Sequence, residues 1–407
     1  MQVLPIIYLF YMFVAVYFLS FFLILYFRNR KDLFTYPESD KKYSISVLVP
    51  SFNEQATIEN TIKAIFSSGY DLTEVIVLND GSTDRTKEIV ERLMREYEKL
   101  KLLNKKNSGK ADSINQGIKM ARGELVAVVD ADSYPAKDSF RKLVGYFNDP
   151  KVGAVTCTIV PRNKKRFLEK LQTIEYNVIA FTRKLLGYVD GIYVTPGPLA
   201  IYKKTALKRI GGFNKDNLTE DIEATWHLAY YGYKRVMCLA TNVTTTVPHK
   251  FVAWYKQRRR WNTGGLQCIS QYKSFFFKRG MLGMFIVPFF VLQLFNGLLG
   301  LSVFTYLITT RTIRNYLFVK YSTDIGTSLV TINDLFITPS FLNYIGIVLF
   351  VIGFFFTLLS LFILKEKAFV KQSIPSVIFY MLFYLSIYPF IVITALYNYF
   401  KGTRKWR

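Results

Sequence analysis

The sequence contains few residues of the kinds that build cysteine or histidine sites. Its three cysteines, Cys157, Cys238 and Cys268, show no C-x-x-C spacing, and its two histidines lack the spacing of metal ligands. We therefore predict buried free thiols in a reducing compartment and structural histidines. A G-x-G-x-x-G motif does not follow the first predicted strand, and G-x-x-x-x-G-K-[ST] occurs nowhere. These absences argue against a dinucleotide-dependent oxidoreductase and a P-loop NTPase.

Positive charge and apolar residues are both abundant. The chain has 407 residues, a formal net charge of +24 and 51% apolar residues, which are concentrated in blocks. Because the basic residues are not gathered in one tail, charge alone leaves nucleic acid, anionic lipid headgroups and phosphorylated substrates open as partners. The apolar blocks make a nucleic-acid binder the weakest interpretation, and no nucleic-acid partner is predicted.

Four apolar segments are long enough to cross a bilayer, whose core takes roughly 20 helical residues. They cover residues 3–27, 282–308, 342–364 and 373–400. Arg28, Arg30 and Lys31 directly follow the first segment, which favours an uncleaved anchor that starts outside and ends in the cytosol. The basic loop at 365–367 is also predicted to be cytosolic.

The charge of the C-terminal tail conflicts with this count. Four crossings from an outside start place the C-terminus outside, whereas the basic tail at 401–407 favours the inside. Either the tail is an exception to the preference of basic residues for the cytosolic side, or one segment is re-entrant or interfacial. The moderately apolar stretch 309–341 is a candidate for such an element.

Strands alternate with helices between the first and second apolar segments. Strands are predicted at 45–50, 74–80, 101–106 and 123–132, and helices at 55–68, 84–97 and 112–122. This alternation predicts a parallel sheet with helices on both faces. Ligands bind such sheets outside the carboxyl ends of the strands. Polar side chains follow those ends at Asn53 and Glu54, at Asp80, and at Asp130 with Asp132, and they predict one binding site.

Two features of this half suit a phosphorylated ligand and a metal. Asp130 and Asp132 lie on the same side of an extended chain, and their hard oxygen ligands suit Mg²⁺ or Mn²⁺, with substrate phosphates completing the shell. Lys110 follows a glycine at a helix start, where it suits a pyrophosphate contact. A D-x-D pattern alone is often accidental and a lysine is usually solvated, but their position at the strand ends favours a site.

Six segments carry a resemblance to a known family. VPSFNE, VLNDGSTD, GKADSIN, VVDADS, LTEDIEATWHL and QRRRWNTGG occur in the order found in family 2 glycosyltransferases with a GT-A fold. Over residues 45–265 the chain resembles the membrane-bound processive branch: chitin-oligosaccharide, hyaluronan, cellulose and poly-N-acetylglucosamine synthases. The arrangement of spans is similar to that of chitin-oligosaccharide synthases, and the residues around Glu220 and Trp261 are closer to poly-N-acetylglucosamine synthases.

The resemblance implies an α/β fold of GT-A type, a Rossmann-like mixed sheet, with interfacial helices and about four transmembrane helices. It implies a transmembrane anchor at 1–30, a cytosolic catalytic domain at 43–250, an interfacial amphipathic region with QxxRW at 251–280, a transmembrane region at 281–400 and a basic tail at 401–407. The expected location is the cell membrane, with several crossings. The helical stretch 167–188 is either a packed helix of the domain or a second interfacial helix.

Roles for individual residues also follow from the resemblance. The nucleotide would be bound by Pro50, Asn53, Glu54, Asp80, Lys110, Asp130 and Arg260. Mg²⁺ or Mn²⁺ would be bound by Asp130 and Asp132, and the acceptor by Thr219, Glu220, Gln257 and Trp261. Asp221 would be the catalytic base, and its position at a helix start also suits a compatible role as the N-cap residue. Glu220 would take part in catalysis by positioning the acceptor, or would be an acid of the first helical turn. The TPGP segment at 195–198 would be a loop on the acceptor side. One departure is Asn79, where many members have a second aspartate before the position of Asp80.

Two arginines fall in the variable positions of QxxRW. Arg258 and Arg259 are interpreted as parts of a basic interfacial helix that is attracted to anionic lipid, with Trp254 and Tyr255 at headgroup level. This interpretation assigns them no contact with substrate.

The favoured function implied by the resemblance is an inverting, processive glycosyltransferase. It would polymerise sugar from a UDP-sugar, with UDP-N-acetylglucosamine favoured, onto a growing polysaccharide, move the product across the membrane and contact membrane lipids. One alternative is a polyprenyl-phosphate glycosyltransferase that transfers a single sugar to a lipid, although those relatives usually lack QxxRW. Another is an inactive scaffold or receptor, against which the intact acidic residues argue.

Overall fold

An eight-stranded mixed sheet forms the centre of the region between the first and second apolar segments. The computed structural model describes residues 3–278, 280–325, 341–364 and 374–402. The strands are β1 Ile45–Ser51, β2 Glu74–Asp80, β3 Leu100–Lys105, β4 Leu125–Val128, β5 Ser133–Pro135, β6 Val152–Pro161, β7 Ala200–Lys203 and β8 Lys234–Thr245. Their order across the sheet is β3-β2-β1-β4-β7-β6-β8-β5.

Helices cover both faces of this sheet and continue into the apolar segments. Within the domain they are α2 Ile58–Phe66, α3 Thr86–Leu93, α4 Lys110–Met120, α5 Ser139–Val144, α6 Phe167–Gly187, α7 Lys204–Arg209, α8 Glu220–Tyr230 and α9 Phe251–Tyr272. Every residue of β1 and β2 is buried, as expected for central strands covered on both faces. In α2 the buried apolar residues Ile58, Ile62 and Ile65 recur at helical spacing, so one side of the helix packs on the sheet.

The predicted strand–helix alternation is confirmed for the first four strands. They pair in parallel in the order β3-β2-β1-β4. Beyond β4 the sheet is mixed, as the resemblance implies, because β7 pairs antiparallel with both β4 and β6. Strand β4 also ends at Val128 rather than at residue 132, since the Asp130 amide donates to the Gly197 carbonyl oxygen at 3.1 Å. The two aspartates therefore lie in the short connection between β4 and β5.

Among the residues that the structure describes, four helices are long and apolar enough to cross a membrane: Pro5–Asn29, Leu282–Tyr321, Gly346–Ile363 and Ile374–Phe400. The first lies in α1 Val3–Asn29, the second combines a π-helical turn at Leu282–Ile286 with α10 Val287–Ile325, and the third lies in α11 Phe341–Ile363. The fourth contains α12 Ile374–Phe379 and α13 Tyr388–Phe400, joined by π and 3-10 turns. Residues 309–325 continue α10 without a break, whereas 326–340, the loop at 365–367 and residues 403–407 lie outside the described residues.

Helix α6 joins the sheet to these apolar helices. Its Phe181 packs with Leu25 of the first and Phe356 of the third. Its Ile174 packs in a separate cluster with Trp254 of α9 and Tyr384 of the last helical segment. The three cysteines are free and buried, as predicted.

Candidate active site

One cavity of about 600 Å³ gathers nearly all of the residues that the sequence assigned to a site. It opens at the carboxyl ends of β1, β2 and β4 and extends between α6, α8 and α9. The predicted residues in its lining are Pro50, Glu54, Asp80, Lys110, Asp130, Asp132, Thr219, Glu220, Asp221, Gln257, Arg260 and Trp261.

Asn53 is the predicted site residue that does not line this cavity. Its backbone has a φ of 57°, a left-handed conformation that asparagine tolerates better than most residues. Its side-chain oxygen accepts a hydrogen bond from the Thr83 backbone amide at 2.8 Å. Its backbone amide donates a hydrogen bond to Ser82 Oγ at 2.9 Å. Asn53 thus connects the loops after β1 and β2, and the structure gives it no contact with the cavity.

Asp80 shapes the start of helix α4. Its carboxylate accepts hydrogen bonds from the Ser108 amide at 2.9 Å and the Gly109 amide at 2.8 Å, and it also pairs with Lys105. Burial raises the pKa of Asp80, but the hydrogen bonds from Lys105 and the two amides lower it overall. The carboxylate therefore holds the loop that presents Lys110 to the cavity.

Lys110 connects two acidic groups at the centre of the cavity. Its Nζ lies 2.7 Å from Asp130 Oδ1 and 2.8 Å from Glu220 Oε1. Burial lowers the pKa of Lys110, but the charges of Asp130, Glu220 and Asp221 raise it well above its ordinary value. The lysine is therefore a permanent cation between the carboxyl end of β4 and the start of α8.

The two acids at the start of α8 differ in electrostatic environment. Burial and the neighbouring Glu220 charge raise the pKa of Asp221 to about 6. Burial also raises the pKa of Glu220, but the Lys110 charge and hydrogen bond lower it overall. Asp221 is consequently ionised at neutral pH yet basic enough to accept a proton, which is the property required of a general base. The alternative role of Asp221 as a helix cap is not observed, because α8 begins at Glu220 with Thr219 as its N-cap residue.

Asp130 and Asp132 offer carboxylate oxygens to a cation. Burial, the Asp130 charge and the Glu54 charge raise the pKa of Asp132 to about 6, so negative charge accumulates here. Within the described ranges no group of three or more His, Cys, Asp or Glu side chains has the arrangement of a metal site. Two carboxylates fit a hard divalent cation that takes its remaining ligands from water or phosphate.

Two glycines allow backbone segments to approach the site closely. A Cβ on Gly197, in the TPGP segment, would lie 2.7 Å from Asp130 Oδ2 and 2.8 Å from Lys110 Nζ. A Cβ on Gly264 would lie 2.0 Å from Thr219 Oγ1. Because Gly264 lies in α9 and Thr219 precedes α8, this contact sets the position of the QxxRW helix relative to the acids of α8.

The lipid-facing interpretation of Arg258 and Trp254 is wrong. Both side chains are fully buried. Arg258 Nε donates to Glu175 Oε1 of α6 at 3.1 Å, and its NH2 group pairs with the other carboxylate oxygen. Trp254 Nε1 donates to the Tyr384 hydroxyl at 2.6 Å, and that hydroxyl donates to Glu175. Within α9, Arg258 also lies 4.2 Å from the centre of the Trp261 ring. The contacts with Glu175 and Tyr384 hold α9 between α6 and the last apolar helical segment.

The far part of the cavity is lined by residues that the sequence analysis did not identify. Tyr176 and Arg183 come from α6, Tyr193 from the loop before TPGP, Gln293 from α10 and Tyr388 from α13. Two features of the sequence could have identified them: the basic and aromatic residues within 167–188, and a polar glutamine within an apolar segment. These residues extend the cavity from the acids of α8 to two of the candidate spans.

Comparison with known proteins identifies the domain that bears this cavity. The family model described as "Glycosyl transferase family 2" matches residues 46–211. Residues 46–211 form a family 2 glycosyltransferase domain. This glycosyltransferase is similar to the poly-β-1,6-N-acetyl-D-glucosamine synthase of Staphylococcus epidermidis, at 29% identity over 368 residues, covering 88% of this chain and 82% of the relative. The Staphylococcus aureus protein of the same name is 33% identical over 228 residues, 56% of this chain and 55% of the relative.

A solved structure shares the fold of the glycosyltransferase over nearly its whole length. The Pyrobaculum calidifontis mannosyltransferase PcManGT, in complex with GDP-mannose and Mn²⁺, matches with a TM-score of 0.66 and 21% identity, covering 98% of this chain and 99% of that one. The predicted GT-A-type α/β fold with about four apolar spans is therefore confirmed.

Proposed function

We propose that this glycosyltransferase is an inverting, processive synthase that adds sugar from UDP-N-acetylglucosamine to a growing β-linked polysaccharide and moves the product across the membrane. The observation that carries the proposal is the single cavity in which Lys110, Asp221 and Trp261 all lie, and which extends to two candidate spans. The names of the staphylococcal relatives support the choice of sugar and a polymeric product.

The residues of the cavity divide into donor and acceptor ends. The loops after β1 and β2, with Pro50, Glu54 and Asp80, would hold the nucleotide. Lys110 and Arg260 would place positive charge beside the diphosphate, where arginine can grip two oxygens at once. On the acceptor side, the face of Trp261 would support a sugar ring, with Gln257, Thr219 and Glu220 around it.

Transfer would proceed in one displacement. The acceptor hydroxyl oxygen attacks the anomeric carbon of the donor as the bond from that carbon to the diphosphate oxygen breaks. The bonding electrons leave with UDP, and the hydroxyl proton passes to the carboxylate of Asp221. General base catalysis of this kind typically contributes ~10²–10⁴-fold to the rate.

Asp130 and Asp132 would hold Mg²⁺ or Mn²⁺. The Mn²⁺ and nucleotide sugar in the complex of the structurally similar mannosyltransferase support a divalent ion in this fold. When bound, the ion would neutralise charge on the departing diphosphate. Gly197 leaves the space beside Asp130 that such a ligand set requires.

The proposed location is the cell membrane, with the catalytic domain in the cytosol. The four apolar helices and the cluster Arg28, Arg30 and Lys31 after the first one support this topology. The proposed division is an anchor at 1–30, a catalytic domain at 43–250, an interfacial region at 251–280, a membrane region at 281–400 and a tail at 401–407.

The experiment that tests the function is a UDP-release assay of the protein in nanodiscs. UDP-sugars are supplied one at a time with Mg²⁺ or Mn²⁺, and the products are sized. We expect long polymer from UDP-N-acetylglucosamine alone. Transfer of one sugar, only when polyprenyl phosphate is added, would replace the proposal with a lipid-acceptor enzyme.

Asp221→Asn tests the assignment of the base. The variant keeps the shape of the side chain but cannot accept the proton, so we expect transfer to be lost while UDP binding persists. UDP titration of the same preparation is the control, and loss of UDP binding together with transfer would show that the base assignment is wrong.

A further inference from the structure

Arg183 is a buried cation on the cavity-facing side of α6. Its side chain is 6% exposed, and it lies in the lining of the cavity with Tyr176 and Ile179. These residues are spaced by three and four positions, so they form one stripe along the helix. The backbone of Arg183 therefore lies about two helical turns, roughly 10 Å along the axis, from that of Tyr176.

Among the described residues, the guanidinium of Arg183 forms no ion pair like those of the buried Arg235 and Arg258. Its Nε has no hydrogen-bond partner among the described residues. Arg235, in contrast, pairs with Asp190 at 3.0 Å and donates to the Tyr233 carbonyl oxygen at 2.7 Å. Arg258 pairs with Glu175. A buried charge without such partners is costly to the fold, which is a pattern found where a ligand supplies the missing acceptors.

The groups near Arg183 indicate what kind of ligand fits. Burial lowers the pKa of Arg183 overall, while the neighbouring Tyr193, Asp221 and Tyr176 side chains act to raise it. Tyr193 and Tyr176 add aromatic faces to the cavity wall, and Asp221 is the proposed base. The donor end already has its own cations in Lys110 and Arg260, so Arg183 is not needed to bind the diphosphate.

We infer that Arg183 is an acceptor-binding residue, whose guanidinium donates hydrogen bonds to hydroxyl or acetamido oxygens of the saccharide held beyond Asp221. This inference rests on the proposed function, because that function makes the acceptor a sugar chain. A neutral saccharide fits the site because it offers many hydrogen-bond acceptors. The tyrosine faces suit the apolar sides of its rings.

The test compares Arg183→Met with wild-type protein in nanodiscs, without donor. A β-1,6-linked N-acetylglucosamine oligosaccharide is titrated by calorimetry, and UDP with Mn²⁺ is titrated separately. We expect the oligosaccharide to bind about 10- to 100-fold more weakly to the variant, the equivalent of one or two lost charge-assisted hydrogen bonds. The affinity for UDP should stay the same, and Arg183→Lys should recover part of the loss.

Arg235→Met is the matched control, because Arg235 is also buried but is paired and does not line the cavity. Removing an unpartnered charge should leave the melting temperature of Arg183→Met unchanged or higher. Removing Arg235 should lower the melting temperature, because Asp190 loses its partner. A lower melting temperature in both variants would show that Arg183 is structural and would overturn the inference.

Two further outcomes separate this inference from the proposed function. Equal oligosaccharide affinity in wild type and Arg183→Met would overturn the inference while leaving polymer synthesis intact. If wild type does not bind the oligosaccharide, the proposed acceptor fails, and nanodiscs containing polyprenyl phosphate are titrated instead. Weaker binding of that lipid by Arg183→Met would overturn the saccharide assignment in favour of a phosphate ligand.

Discussion

Gly264→Ala should slow transfer strongly although it adds only one methyl group. The new Cβ would lie 2.0 Å from Thr219 Oγ1, 2.7 Å from Cγ2 and 2.8 Å from Cβ. Rotation of the threonine side chain cannot relieve the overlap, since its own Cβ is also too close. The Thr219 backbone is held as well, because its amide donates to Asn217 Oδ1 at 2.8 Å. Helix α9 and the start of α8 must therefore separate by roughly 1 Å or more.

The expected size of the effect follows from this separation. Overpacking of this kind costs about 1–3 kcal/mol of stability. A displacement of about 1 Å between reacting groups can lower the rate about 10²-fold. Because α9 carries Trp261 and α8 carries Asp221, we expect UDP release in the polymerisation assay to fall by about that factor. UDP affinity should change little, since Pro50 and Asp80 lie on other elements.

Gly265→Ala is the control for this experiment. It lies in the same helix, and its added Cβ would approach Phe290 no closer than 3.5 Å. Both variants gain the same helix propensity, about 1 kcal/mol, so that contribution cancels when the two are compared. If Gly264→Ala turned over as fast as Gly265→Ala, the proposed dependence of catalysis on this helix contact would be refuted.

Three other perturbations test the site. Gly197→Ala places a Cβ 2.7 Å from Asp130 Oδ2 and should weaken binding of UDP with Mn²⁺ by about tenfold, the equivalent of one hydrogen bond, in a titration. Because Asp221 must be ionised and burial raises its pKa to about 6, kcat/KM should fall about tenfold per pH unit below that value; a flat profile from about pH 5 to 8 would contradict this. Arg258→Met leaves the Glu175 carboxylate buried without its cation and should cost about 3–5 kcal/mol in thermal unfolding, whereas adding Glu175→Gln should restore part of that loss.

The charged residues of the site could be predicted because short sequence patterns, such as a buried strand or a glycine before a helix, define their positions. Asp130 and Asp132 follow a buried strand, and Lys110 follows a glycine at a helix start. Such positions converge in any open α/β sheet. Asn53 satisfied the same pattern, yet its side chain bonds to Thr83, because the orientation of a residue in a loop depends on the neighbouring loop.

By itself the sequence determined the alternating strands and helices, the four apolar spans and the order of the acidic and QxxRW motifs, since each is a local pattern of polarity. Only the tertiary structure decided which charges are buried and paired. Arg258 meets Glu175, 83 residues earlier in the chain, whereas Arg183 meets the cavity and no carboxylate of the described residues. Both arginines are basic residues in long helices, Arg258 in α9 and Arg183 in α6. A buried charge is costly without an oppositely charged partner. Whether such a partner lies close by depends on how distant parts of the chain pack together.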